Sequence, residues 1–178
     1  MISEKMSKAL NEQINKEMYS GYLYMAMSAW CNDQGLEGFA HWFMVQYHEE
    51  MFHAMKIYEY LFDQGSKPVL LAIDKPQENW DSPMDVLKET LEHEKKVTAS
   101  IHSLVALAED EKDYASRIFL QWYVSEQVEE EKNASDMITR MEISAGAKGP
   151  GLYMVDRELK SRAVTIPTSF VGPLGAED

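Results

Sequence analysis

The chain has 178 residues, 45% of them hydrophobic and 26% charged, with a formal net charge of −13. That length suits one domain that buries its own core without staples. The acidic surplus argues against nucleic acid as a partner, since phosphate backbones demand clustered Lys and Arg. With Cys31 as the only cysteine, no intrachain disulfide or Cys-based zinc site can form.

A single cysteine is expected in a reducing cytoplasm. The start, Met1 to Lys5, lacks the apolar run of a signal peptide. No stretch is long and apolar enough for a membrane span. The 12 methionines read as packing residues at helix interfaces.

A first helix is expected from about Ser3, as N-cap, to Asn32, with Leu10, Ile14, Met18 and Met25 at helical spacing. Asp33-Gln34-Gly35 makes a short turn. A second helix spans about Glu37 to Asp63 and stops at Gln64-Gly65, so the two should form an antiparallel hairpin. Ser66 to Asp81 holds Pro68 and Pro76 and reads as a long connection. Its length is enough to carry the chain along the bundle, so the next helix should run parallel to the second. Ser82-Pro83 reads as an N-cap plus first-turn proline for a third helix to Glu109. After a polar break at Asp110–Asp113, a fourth runs from about Tyr114 to Ser144 and is ended by Gly146, Gly149 and Gly151. A short fifth helix from about Leu152 to Ala163 follows, and the segment 164–178 reads as an extended or mobile tail. The expected fold is all-α: a four-helix bundle with a long crossover and a short fifth helix, one domain over 1–163.

Each long helix carries ionisable groups on its apolar stripe. The second has Phe39, Phe43, Gln46, Glu50, His53, Ile57 and Tyr60, at steps of three and four. Glu50 and His53, one turn apart, can therefore reach one point. The stripe Leu10, Ile14, Glu17, Gly21, Tyr24 turns Glu17 inward on the first helix. On the third, Leu87, Thr90, Glu94, Val97, Ile101 and Val105 do this for Glu94. On the fourth, Phe119, Tyr123, Glu126, Glu130, Ala134, Met137 and Met141 do it for Glu130, with Gln127 close by. All four glutamates lie near mid-helix, so an up-down bundle brings them to one level.

A lone inward His or Glu is more often a satisfied core residue than a ligand. A set of four is different. Two carboxylates about 4 Å apart repel by roughly 4 kcal/mol at an effective dielectric near 20. Buried without cations, four would take up protons or break the core. Bound metal reverses the sign, and carboxylate with imidazole suits iron, manganese or zinc.

Glu17, Glu50-Met51-Phe52-His53, Glu94 and Ser125-Glu126-Gln127-Val128-Glu129-Glu130-Glu131 resemble the ligand pattern of the ferritin-like di-iron proteins, and nearly the whole chain shares the resemblance. Where a second Glu-x-x-His could stand, this chain has Gln127-x-x-Glu130, which resembles the non-heme ferritins of bacteria and archaea. That resemblance implies an iron-storage protein with ferroxidase activity, oxidising Fe(II) with dioxygen or hydrogen peroxide. It implies that Glu17, Glu50 and His53 bind a first iron, with Glu50 bridging. Glu94 and Glu130 bind a second, beside Gln127. Glu49, Glu126, Glu129 and the shared Glu130 match a third iron site. Tyr24 matches the family tyrosine beside the di-iron centre and could donate an electron. Its simpler role is a core tyrosine hydrogen-bonded to a ligand. The resemblance further implies a 24-subunit homo-oligomeric shell, with which the fifth helix is consistent.

Three rival readings remain. Met51 stands where bacterioferritins place a heme-ligand methionine, but Gln127 argues against heme. A monomeric or dimeric di-iron redox enzyme would lack the fifth helix. A purely structural bundle would leave the carboxylates unexplained.

Overall fold

Ser3 opens α1 (Glu4–Asp33) by accepting a 2.9 Å hydrogen bond from the Met6 N–H. The computed structural model that shows this cap describes residues 1–144 and 149–163. The other helices are α2 (Glu37–Asp63), α3 (Pro83–Asp110), α4 (Tyr114–Ile143) and α5 (Pro150–Leu159). Ser82 and Asp113 cap α3 and α4 through the Asp85 and Ser116 N–H groups. No strand occurs among the described residues.

Cross-helix pairs fix the directions. Ser7 at the start of α1 meets Ser66 just past α2, and Ser28 near the end of α1 meets Ala40 near the start of α2. Gln46–Glu130, His53–Tyr123 and Tyr60–Ser116 run antiparallel between α2 and α4. Arg117–Glu109 and Gln127–Glu94 do the same between α4 and α3. Helix α3 is thus parallel to α2, as the long connection requires. That crossover is pinned as it passes α1: the Val69 N–H donates to Asn11 Oδ1 at 2.5 Å, and Asn15 donates to the Ala72 carbonyl at 2.9 Å. Trp80 buries its ring against Trp30 and donates to Glu89 at 2.5 Å.

Two expectations need correction. Met25 does not face the core: it is exposed, because the stripe continues through Tyr24, Met27, Ser28 and Cys31 and turns position 25 outward. The fifth helix starts earlier and ends earlier than Leu152–Ala163. Gly149 at φ +87° and Pro150 at the first turn begin it. It stops at Leu159, and Arg162 leaves the helix for α2. Helix α4 ends at Ile143, while Gly146 and the tail 164–178 lie outside the described residues.

The core has two apolar halves. One holds Leu23, Met27, Phe39, Phe43, Leu87 and Met141, the other Met6, Leu10, Ile14, Ile57, Leu61 and Ile101. Between them lies a buried polar layer of Gln13, Glu17, Gln46, Glu50, His53, Glu94, Gln127 and Glu130.

Helix α5 is locked onto α2 by a cap supplied from outside that helix. Leu36 at the α2 N-cap offers no side-chain hydrogen bond. Asp156 of α5 instead accepts from the Gly38 and Phe39 N–H groups at 2.8 and 3.0 Å. Gly38 permits this approach, because a Cβ there would sit 1.6 Å from the Asp156 carbonyl oxygen. Asp156→Ala should therefore cost about 1 kcal/mol, typical of a lost helix cap. Urea unfolding and hydrogen exchange should show the loss together with faster exchange in α5. Unchanged exchange there would contradict the cap.

Candidate metal centre

The centre begins with a close helix contact. A Cβ on Gly21 of α1 would lie 2.9 Å from the Met51 methyl and 3.5 Å from Glu50 Cβ, so the bare glycine lets α2 bring Glu50 against α1. One turn earlier on α1, Glu17 faces the same space. Gln13 holds its Oε1 at 2.7 Å, one helical turn away. The other oxygen, Glu17 Oε2, has no hydrogen-bond partner among the described residues, and neither has Glu50 Oε2. Buried, unpartnered carboxylate oxygens are rare and costly. Glu50 Oε2 lies 3.5 Å from His53 Nδ1, and Glu17, Glu50 and His53 offer ligand atoms within 4.8 Å of one another.

A second group shares the imidazole. His53 Nε2 is 3.8 Å from Glu126, and His53, Glu126 and Glu130 also bring ligand atoms within 4.8 Å. Glu130 is held by Gln46, whose amide donates to Oε2 at 2.8 Å. Glu94 joins neither group. Its Oε1 accepts from the Tyr24 hydroxyl and its Oε2 from Gln127 at 3.1 Å. Gln127 also reaches Thr98 at 3.3 Å. Tyr123 donates to the His53 carbonyl at 2.8 Å and steadies that turn of α2. Phe52 and Trp122 wall His53, with Lys56 over the Trp122 ring at 4.8 Å.

Glu49 lies outside this layer, half-buried and ion-paired to Arg162 at 2.7 Å. Glu129 is exposed, but its charge acts on both Glu49 and Glu126.

Electrostatics mark the layer as unfinished without a cation. Burial pushes Glu17 up to about 7, with the Glu94 charge adding to it and Gln13 resisting. Burial, then Glu94, Glu17 and Glu130, raises Glu50 far above the carboxylate range. Glu130 is raised by burial, then by Glu94 and Glu49. Glu94 rises by burial against the hydrogen bonds from Tyr24 and Gln127. His53 is lowered to about 3 by burial and the Lys56 charge, so at neutral pH it is an uncharged imidazole with a lone pair to offer. Carboxylates that resist ionising alone, beside a neutral imidazole, suit a di- or trivalent cation.

The sequence reading missed Gln13, Gln46 and Tyr123 as supports and Arg162 as a cation. Gln13 was findable one turn before Glu17, and Gln46 already stood on the stripe. Arg162 carried no local signal.

The ferritin-like domain family matches residues 7–144. A probable bacterial non-heme ferritin-like protein of Haemophilus influenzae is 45% identical over 159 residues, covering 89% of this chain and 96% of its own. The bacterial non-heme ferritin of Campylobacter jejuni is 41% identical, covering 93% and 98%. The open-pore ferritin of the archaeon Archaeoglobus fulgidus superposes with a TM-score of 0.90 at 45% identity, covering 92% of this chain and 99% of that one. An engineered closed form of it gives 0.91, covering 93% and 100%.

The pKa shifts set a pH dependence for the metal-free chain. The buried carboxylates are raised above 4.5, so the folded state keeps protons that the unfolded chain has lost, and stability falls as pH rises through the folded values. His53 and His93, lowered to about 3 and about 4 from 6.5, act oppositely, until the unfolded imidazoles have lost their protons at about pH 7.5. Above that, the carboxylate effect stands alone. Glu17 by itself is worth about 3 kcal/mol across its whole window. Calorimetry of the metal-free chain should show Tm falling as the pH rises above about 7.5. Glu50→Gln should flatten the fall, and Zn(II) should reverse it. A flat or rising wild-type Tm would count against the protonated centre.

Proposed function

The chain belongs to the bacterial and archaeal non-heme ferritins, and from that premise we propose how its residues oxidise and store iron. It is an iron-storage protein with ferroxidase activity, converting Fe(II) to Fe(III) at a di-iron site and keeping the product as a ferric mineral inside an oligomeric shell. The observation that carries this reading is the buried trio Glu17, Glu50 and His53, whose ligand atoms lie within 4.8 Å of one another and whose two carboxylates each keep an oxygen without a hydrogen-bond partner.

Iron is substrate and cargo here. Glu17, Glu50 and His53 take the first Fe(II), and Glu50 bridges to the second. Glu130 and Glu94 take the second, with Gln127 holding Glu94 by a neutral amide. The second position lacks an imidazole of its own, so it holds iron less firmly, which suits an ion that must move on. Glu49, Glu126, Glu129 and Glu130 form a third site on the way out. Two Fe(II) yield two electrons, enough to reduce dioxygen or hydrogen peroxide by one two-electron step. The layer's carboxylates stabilise the charge gained by the metal. Tyr24, hydrogen-bonded to Glu94, can lend a further electron.

Storage needs a shell, and the surface supports one. Tyr22 and Met25 of α1 and Val69, Leu70, Leu71 and Ile73 of the crossover are exposed. So are Tyr153 and Met154 on α5, opposite its buried Val155 and Leu159. Apolar groups gathered on two faces are what subunit contacts cover. We assign a shell of twenty-four subunits, with residues 1–163 as its repeating domain. No helix among the described residues is long and apolar enough to cross a membrane. A single buried cysteine is in keeping with the cytoplasm.

Size-exclusion chromatography with an iron assay tests the storage reading: a shell-sized particle should take up many irons per subunit. A small particle binding two irons and no more would replace it with a redox enzyme. Glu50→Ala or Glu130→Ala should slow oxidation by at least about a hundredfold, the scale of losing a metal-binding group, while the circular dichroism of the helices is kept. Stopped-flow absorbance measures that rate, and wild-type kinetics in either variant would overturn the assignment.

A further inference from the structure

Arg162 sits on the short turn after α5, yet it reaches into the edge of the metal layer. Its Nη2 lies 2.7 Å from Glu49 Oε2, and its Nη1 donates to Gln46 Oε1. The same Gln46 donates its amide N–H to Glu130 Oε2 at 2.8 Å. One guanidinium therefore holds Glu49 directly and Glu130 through a single amide. Its Cζ is 5.0 Å from the Trp42 ring centroid, and its carbonyl lies 2.8 Å from His41 Nε2.

We propose that Arg162 is a displaceable counter-ion for the third iron site, occupying Glu49 when no metal is bound there and yielding it when Fe(II) arrives. This inference rests on the third-site reading given above.

Four features point this way. First, Glu49 is faced by the carboxylates of Glu126 and Glu129, and Arg162 is the cation whose charge acts on it against them. A metal ion held by Glu49 would do the same work, so the two cations compete. Second, a guanidinium and a divalent ion around one half-buried carboxylate repel each other, so binding of one weakens the other. Third, Arg162 lies beyond the last helical residue, Leu159, so α5 need not unwind first for the side chain to leave, although its departure removes a tether between α5 and α2. Fourth, there is somewhere to go. Arg162 borders a cleft of about 270 Å³ that Asp136 and Glu158 also line, the first paired with Lys132 and the second with Arg140.

The coupling has a direction. While Arg162 holds Glu49, the third site is weakened and the di-iron positions fill first. Metal at the third site frees Arg162, loosens the end of α5 and releases Gln46 from its guanidinium. Reciprocity requires that whatever tightens the docking of Arg162 also loosens the third metal.

Calorimetric titration of the assembled, metal-free protein with Zn(II), which cannot be oxidised, tests this. In Arg162→Gln the third equivalent should bind about tenfold tighter, within the usual range of coupling between sites, with a smaller gain at the second, whose Glu130 is held through Gln46, and the first unchanged. Arg162→Lys keeps the charge and should stay near wild type, which separates competition from a general disturbance of α5. In wild type, hydrogen exchange over residues 149–163 should quicken as the third equivalent binds and not before. A third equivalent that is unmoved or weaker in Arg162→Gln, or α5 exchange indifferent to it, overturns the proposal. The double variant Glu126→Gln with Glu129→Gln isolates the underlying reading. If it keeps the third equivalent, the third site is wrong. If it loses it while Arg162→Gln has no effect, only the role of Arg162 is wrong.

Discussion

Mutual repulsion among Glu17, Glu50, Glu94 and Glu130 is the constraint to which the rest of the bundle answers. Desolvation opposes their ionisation first, and charge adds to it: Glu94 raises Glu17, Glu50 and Glu130, and Glu17 and Glu130 also raise Glu50. Such a layer survives only where the remaining structure is stable enough to carry it. Two apolar halves, above and below, supply that margin. Helix capping by Ser3, Ser82, Asp113 and the distant Asp156 adds more. The bundle is thus built around a layer that weakens it until a cation arrives, which makes metal binding and stability one linked equilibrium.

Within the layer, positioning falls to neutral amides. Gln13 holds Glu17, Gln46 holds Glu130 and Gln127 holds Glu94. An amide N–H fixes a carboxylate oxygen in space without cancelling its charge, so the full negative charge remains for metal. A lysine or arginine in any of these places would answer the repulsion itself and leave less for iron. Arg162 is consistent with this rule because it sits at the rim, against half-buried Glu49, and not in the layer.

Much of this was legible in the sequence, because both the bundle and the centre rest on local periodicity. Steps of three and four placed Glu17, Glu50, His53, Glu94 and Glu130 inward, and caps such as Ser82-Pro83 set the ends. The span Glu37–Asp63 matches the expected second helix at both ends. What escaped depends on contacts between residues far apart in the chain. Asp156 caps a helix 118 positions away, and Arg162 pairs with a carboxylate 113 positions away. No local pattern encodes such a partner. The end of the fifth helix was misplaced for that reason: helix propensity continues past Leu159, but the pull of Arg162 toward α2 does not show in propensity. Met25 was misplaced for a different one, since an apolar residue on an outward face reads like a core residue until the stripe is traced through Tyr24 and Met27.

The layer is also graded, and the gradient gives iron a direction. Glu17 and Glu50 are enclosed, and Glu130 nearly so, while the Glu126 side chain is 27% exposed and Glu129 is open to solvent. His53 stands where the two groups meet, with one ring nitrogen toward Glu50 and the other toward Glu126. On the proposed assignment, an oxidised ion moving outward loses close ligands but regains water step by step, so no single step leaves it bare. Each carboxylate it leaves behind is again unpaired in a dry site, which draws in the next Fe(II). The same repulsion that makes the empty layer unstable therefore drives its refilling. Arg162, the cation paired with Glu49 at the outer end, balances that carboxylate again once the ion has gone.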